Sequence, residues 1–582
     1  MDGRNPDLEE NRHPEEALGR RLSRRLFLKA ALGAGGIALL SACAPAPTPS
    51  PTSAPAAAAG SQPAATAAAP ASQAAAKPTA AAGNNTFIFG RGGDTVKLDP
   101  AVVTDGESQR VTSQIYDTLV MFDGQTTNVK PGLAESWKVS DDGKTWTFKL
   151  RQGVKFHDGT PLDAEAVAFN FNRWMDAKDP YHKGGDFSYW GSMFGGFKND
   201  PESESKNVVD SVKAVDPTTF QVNLKQPMAP FLNNCAMWCF AIASPTAIKK
   251  DVDNYFKNPV GSGAFKFVEW VPDDHITVEA NKDYWGEKPK LDRVIWRVIK
   301  DNTARFMELK AGTIHGMEGL NPDDVKTAQS DPNLQVLMRP AMNVGYLAFN
   351  FHNEYLAKKE VRQAVAYAIN RQAIIDALYG GIGQLASQFI PPMVWGYNPD
   401  IKPYPYDPNK AKSLLQQAGC PDGFTIDLWY MPVSRPYYPD PKPICEAFAA
   451  DLAKVGIKTN LKTEDWSLYT VDRRKGKFPF WMLGWIGDNG DPDNFLNYLF
   501  GTLNEENSWD NPQVRAQLNK AQTLNDKAER EKIYKDVSVV IADEMPRLPV
   551  VNVTPPLAFR KNVTGYVPHP TGAEFFNTVS FK

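Results

Sequence analysis

The stretch Trp481-Met482-Leu483-Gly484-Trp485-Ile486-Gly487-Asp488-Asn489-Gly490-Asp491-Pro492-Asp493 gathers two indoles, three glycines and three acids. Its apolar opening has the character of a buried strand. Its glycines remove side chains where a backbone could approach a neighbour closely. Asp488 follows at once, beside Gly487 and within reach of Trp485. A carboxylate among aromatic rings and bare backbone suits a cationic amine held in a concave, largely apolar site. The same residues also describe an acidic turn after a strand, with Asp491-Pro492-Asp493 starting the next helix.

Strand and helix signals alternate outward from this stretch. Residues 346–349 and 425–429 read as strands. Val361, Ala364, Val365, Ala368, Ile374, Ile375 and Leu378 fall on one helical face that Gly380-Gly381 ends, which leaves Arg362 and Arg371 solvated or structural. Asp407-Pro408 opens a further helix, with Ala411, Leu414, Leu415 and Ala418 inward and Gly419 as its stop. Nearer the front, residues 86–89 form a short strand and residues 220–224 alternate as another. Alternating apolar residues on both sides of Asp141-Asp142-Gly143-Lys144 make a hairpin. Gly143-Lys144-Thr145 is not a phosphate loop, because Lys138 stands where that loop needs its first glycine. Asp163 caps a helix with Val167, Phe171 and Trp174 on one side. Strands alternating with helices predict an α/β fold.

The chain opens with a targeting segment. Ser23-Arg24-Arg25-Leu26-Phe27-Leu28-Lys29 has the twin-arginine form, and residues 30–40 are apolar but too short for a span of about twenty residues. Leu40-Ser41-Ala42-Cys43 reads as a lipoprotein box that would diacylate Cys43, giving a stable membrane tether. Residues 1–43 are thus expected to be a signal peptide, and the Ala/Pro-rich residues 44–84 a disordered linker. The expected location is the outer face of the cytoplasmic membrane. The remaining roughly five hundred residues allow two or three domains. The net charge of −3, from 64 basic and 67 acidic residues, argues against nucleic acid as a partner. Cys235, Cys239, Cys420 and Cys445 remain after Cys43; a Cys420–Cys445 disulfide and buried thiols are both open.

Leu133-Ala134-Glu135-Ser136-Trp137, Gly153-Val154-Lys155-Phe156-His157-Asp158-Gly159, Pro259-Val260-Gly261-Ser262-Gly263 and residues 361–371 together resemble the extracellular solute-binding proteins of peptide-type ABC importers. The resemblance runs from about residue 87 to the C-terminus and is strongest toward dipeptide binders around residues 343–350, 428–437 and 481–493. It implies a two-lobed periplasmic-binding-protein-like fold with hinge-connected lobes: lobe I from residues 85–120, 261–340 and 559–582, lobe II from residues 341–558. An extra domain, residues 121–260, is inserted in the first lobe.

The resemblance also implies a site. Asp488 would hold the α-amino group of a short peptide and Arg435 its carboxylate, by two parallel hydrogen bonds. Tyr437, Trp485, Gly484 and Gly487 would line the site, with Thr104 and Gly106 contributing from the other lobe. The implied partners are the peptide and ABC permease subunits, for a monomer without cofactor or metal. An oligosaccharide binder using stacked indoles is the alternative within the family. A hydrolase built on Asp488, Asp491 and Asp493 is the alternative outside it; acids this close in one loop are poorly placed to flank a scissile bond.

Overall fold

Two mixed sheets form the frame of the computed structural model, which describes residues 85–582. The first has seven strands in the order Leu334–Met338, Pro556–Arg560, Gly316–Met317, Thr86–Arg91, Arg293–Val298, His275–Ala280, Phe265–Val271. The second has six, in the order Gly383–Leu385, Arg547–Val553, Asn343–Phe349, Phe480–Ile486, Phe424–Trp429, Ile457–Lys462. The chain passes between them twice, from Met338 to Asn343 and back from Val553 to Pro556. The returning strand Pro556–Arg560 pairs with Leu334–Met338, so the second crossing lies at Thr554 and Pro555.

The middle of the second sheet is apolar on both faces. Asn343–Phe349 and Arg547–Val553 are buried at every position, as strands covered on both sides must be. The buried Arg547 is tolerated because its guanidinium meets Glu506 at 3.0 Å and donates to the Tyr346 hydroxyl at 3.0 Å.

A separate antiparallel sheet takes the strands Ala134–Val139, Thr145–Leu150, Thr219–Leu224 and Val209–Asp216 in that spatial order. Helix Ala164–Met175 covers it, started by Asp163, whose carboxylate accepts from the Ala166 amide at 3.0 Å. Phe148, Phe171, Trp174, Trp190 and Phe220 fill a core of its own beneath this helix. The turn at Gly143 has φ +70°, the left-handed conformation that hairpin turns reserve for glycine.

Several expectations sharpen here. The apolar face over residues 361–378 belongs to two helices, Lys359–Ala368 and Arg371–Leu378. Asn370 breaks the run by accepting from the Ala373 amide as a new cap, while Asp451 takes its backbone N–H at 2.8 Å. Arg362 and Arg371 are structural rather than solvated. Arg362 donates to the carbonyls of Leu356, Ala357, Glu544 and Met545, and Arg371 to those of Tyr404 and Pro549. Cys235, Cys239, Cys420 and Cys445 are all free, buried thiols, so Cys420 and Cys445 form no disulfide. Trp174, Trp190, Trp296 and Trp481 are buried completely, which places those indoles in the core. The signal peptide, Cys43 and the Ala/Pro-rich linker lie outside the described residues.

Candidate ligand-binding site

The site grows from the strand Phe480–Ile486. Gly484 on this strand pairs directly with Gly345 on Asn343–Phe349, leaving a bare patch at the centre of the second sheet. Tyr437 occupies it: a Cβ on Gly484 would lie 2.4 Å from the tyrosine ring. Gly484 therefore seats Tyr437, which is buried and donates no side chain to open space. Gly487 has a packing role too, because a Cβ there would meet the Phe495 ring at 2.7 Å, and its amide donates to Met342 at 2.8 Å.

Beyond Gly487 the backbone delivers Asp488. The key neighbour is Asn494, near the start of helix Asp493–Phe500. Its Oδ1 accepts from the Asp488 amide at 2.9 Å and from Trp485 Nε1 at 3.1 Å, while its Nδ2 donates to Asp488 Oδ2 at 3.1 Å. One amide thus fixes both the carboxylate and the indole, which stacks on Tyr498 with ring centroids 3.9 Å apart. Asp488 Oδ1 accepts from the Tyr189 hydroxyl at 3.0 Å, a contact from the short helix Ser188–Phe194. Burial pushes the Asp488 carboxyl up to about 6 despite these two hydrogen bonds. Among the described residues no cation lies within ion-pair distance of it.

The loop continues against the insertion. Asn489 Nδ2 donates to Asn234 Oδ1 at 2.7 Å, and Asn233 Nδ2 donates to the Asn489 carbonyl at 2.9 Å. Gly490, at φ +71°, comes so close to Thr127 that a Cβ would overlap its hydroxyl. Asp491 then turns inward and receives Arg530 through two parallel bonds, 2.7 and 2.9 Å. Asp493 accepts from Gln522 Nε2 at 3.0 Å. The three acids of the loop therefore point to three different environments, not to one pair across a bond.

Asp488 opens on a cleft. The opposite walls come from helix Gly106–Ile115 (Gln109, Ser113, Gln114), from residues 116–122, from Trp238 and Tyr284, and from the C-terminal stretch around His569 and Phe575. Two carboxylates, Asp488 and Asp117, face a wall set without lysine or arginine. Asp117 accepts from Tyr284, Ser262 and Trp285 at 2.8–2.9 Å, and burial still raises its pKa. His569 is held neutral, its pKa lowered by burial to about 4, with Thr571 Oγ1 at 2.7 Å and the Thr126 carbonyl at 3.1 Å on its two nitrogens.

Among the expected ligand contacts, Asp488 lines this cleft, whereas Arg435, Tyr437, Trp485, Gly484, Gly487, Thr104 and Gly106 do not. Arg435 lies over the Trp466 ring at 4.7 Å, and its backbone exchanges two 3.0 Å hydrogen bonds with Tyr438. Thr104 is exposed just ahead of the helix that contributes Gln109, and Gly106 is that helix's exposed first residue. Between them Asp105 caps that helix, accepting from the Ser108 amide at 2.8 Å. The cleft residues that sequence reasoning passed over, from Gln109 to Phe575, are unremarkable one by one, and only the fold collects them. Asn494 had a signal, a short amide six residues after Asp488 at a helix start.

The sequence profile of the bacterial extracellular solute-binding proteins, family 5 (middle region), matches residues 128–507. A dipeptide-binding protein of Escherichia coli strain K12 is 38% identical over 520 residues, covering 85% of this chain and 95% of that one. Heme-binding protein A of Haemophilus influenzae is 37% identical over 518 residues, covering 86% and 93%. Among solved structures, an ABC transporter-associated periplasmic binding protein of Helicobacter pylori in complex with the peptide STSA superposes with a TM-score of 0.74 at 33% identity, covering 85% of this chain and 98% of that one.

Proposed function

Because this chain belongs to the family 5 bacterial extracellular solute-binding proteins, which are transport binding proteins and not enzymes, we propose that it captures a dipeptide by its charged ends and delivers it to an ABC permease. The observation that carries this reading is Asp488: a carboxylate at a cleft between the two sheets, held by two neutral donors and without a cation of its own. A ligand ammonium supplies the missing positive charge. Arg435 serves the carboxylate end, swinging from its stack on Trp466, with Tyr437 behind it. Two charges at opposite ends measure the length of a zwitterion while leaving the side chains free to vary. Lobe closure about the crossings near residues 340 and 555 desolvates both pairs and presents the closed form to the permease.

The remaining assignments extend the same reading. The lobe and insertion limits stay as the sequence suggests, except that the strand Pro556–Arg560 goes with lobe I. The twin-arginine segment exports the chain, and diacylated Cys43 tethers it as a monomer on the outer face of the cytoplasmic membrane. The relative named for heme keeps a flat, larger ligand as the rival, and the exposed face of the Trp485–Tyr498 stack favours it.

Calorimetric titration of the purified protein tests the reading. The panel holds Ala-Ala, its N-acetyl and C-amide forms, a tetrapeptide, a disaccharide and haem. Micromolar binding of free Ala-Ala, about −8 kcal/mol, that is lost on capping either end supports the assignment. Binding of the disaccharide or haem without Ala-Ala refutes it.

A further inference from the structure

We propose that Gln109 is the first lobe's own ligand contact: its amide donates to the carbonyl oxygen of the ligand's N-terminal residue while Asp488 holds the adjacent ammonium. The inference rests on the dipeptide reading above and extends it to the opposite wall.

Gln109 stands on helix Gly106–Ile115, is 6% exposed, and lines the same cleft as Asp488. Its Nε2 is buried and meets no hydrogen-bond acceptor among the described residues. A buried donor left unmatched is costly, and proteins rarely keep one without use. Neighbouring polar groups on that wall are engaged within the protein. Ser113 Oγ and Gln114 Nε2 both donate to the Glu574 carbonyl, His569 is held through both nitrogens, and Asp117 receives three donors. The fold leaves the Gln109 donor unmatched beside the cleft, and a side-chain rotation brings it to the cleft surface, where a ligand oxygen can accept from it.

Charge selects the kind of acceptor. The cleft wall carries two carboxylates and neither lysine nor arginine, so a ligand carboxylate there would face like charge without compensation. A neutral oxygen next to a cation satisfies both walls, and an α-aminoacyl amide is that combination: ammonium, one carbon, carbonyl. Free amino acids, whose first acceptor is a carboxylate, are disfavoured by the same argument.

Titrations of Ala-Ala and of its thioamide, in which sulfur replaces the first carbonyl oxygen, test the contact on the full chain. Wild type is expected to prefer the oxygen form about tenfold, the worth of one good hydrogen bond. Gln109→Leu is expected to lose that preference together with about tenfold in Ala-Ala affinity. Gln109→Met, of similar length and likewise without a donor, gives the same readout should the leucine variant melt early. Either variant keeping wild-type affinity, or keeping the oxygen preference, overturns the assignment. Ala-Ala binding that survives capping of its ends breaks the dipeptide reading instead, and failure of wild type to bind either form removes both.

Discussion

Asp488 and Asp491 sit three residues apart in one loop, and the two halves of that loop live in different physical worlds. The front half faces the cleft: Asp488 has two neutral donors, an elevated pKa and, among the described residues, no ion-pair partner. The back half faces the protein interior: Asp491 is 3% exposed and clasped by the Arg530 guanidinium through both oxygens. Burial makes an unpaired charge expensive and a paired one demanding of geometry. The fold compensates Asp491 with a guanidinium and leaves Asp488 with neutral donors alone. Composition alone does not separate them.

Removing each acid should separate them in opposite assays. Asp491→Ala strands Arg530 in the interior and should cost about 3–5 kcal/mol of stability, read as a lower urea midpoint. The affinity of its folded fraction for Ala-Ala should move far less. Asp488→Asn should do the reverse, weakening Ala-Ala by roughly a hundredfold or more while leaving the urea midpoint unchanged or raised. Equal stability losses in the two variants would mean that both acids are structural.

Acidity sharpens the contrast. A carboxyl raised to about 6 in the native protein binds its proton more tightly folded than unfolded, where it titrates near 3.9. Between those values the native state holds the extra proton, so the contribution of Asp488 to stability falls as pH rises from about 4 to 6. Wild type should therefore lose about 1–2 kcal/mol relative to Asp488→Asn over that window, in paired urea titrations. Ligand binding runs the other way, since an ammonium requires the ionised form. Ala-Ala affinity should be highest between about pH 6 and 8, falling toward tenfold per unit below about 6 as Asp488 is protonated and falling again above about 8 as the ligand amine loses its proton. Asp493 also titrates near 7, raised by burial and by Asp491, so the Asp488→Asn comparison is what isolates the effect.

Gly484 sets a second contrast, between what the sequence displays and what contact decides. Its proximity to Asp488 suggested bare backbone for a ligand, and the structure fills that space with Tyr437. Gly484→Ala should cost about 1–3 kcal/mol by overpacking, read as a lower melting temperature. The same divide runs through the whole chain. Caps and turns such as Asp163, Asp407 and Gly143 were legible because their chemistry is local, acting on the next few residues. The packing of Asp488 with Trp485 and Asn494 is local in the same way, within a few residues along the chain. The Asp491–Arg530 clasp spans 39 residues and the Asp488–Tyr189 bond spans 299. No periodicity announces such pairs. Gln109 is invisible for the same reason: its significance lies in a missing partner, which only a packed interior can reveal.

Tyr189 gives the smallest effect and tests whether the front half of the loop belongs to one wall or two. Its hydroxyl donates to Asp488 Oδ1 from the insertion, while Asn494 holds Oδ2 from within the second lobe. Tyr189 holds the carboxylate in the structure as it stands, and where lobe closure keeps this contact it steadies the ligand-bound form. Tyr189→Phe keeps the ring and its edge contact with Trp238 and deletes one hydrogen bond to a charged group. Ala-Ala should then bind several-fold to about tenfold more weakly, equivalent to roughly 1–1.5 kcal/mol, with the loss in a faster off-rate and the on-rate nearly unchanged. Stopped-flow displacement reads both rates. A slower on-rate with an unchanged off-rate would place Tyr189 on the path into the cleft instead of on its closed wall, and the insertion would then be a gate to the site and not part of it.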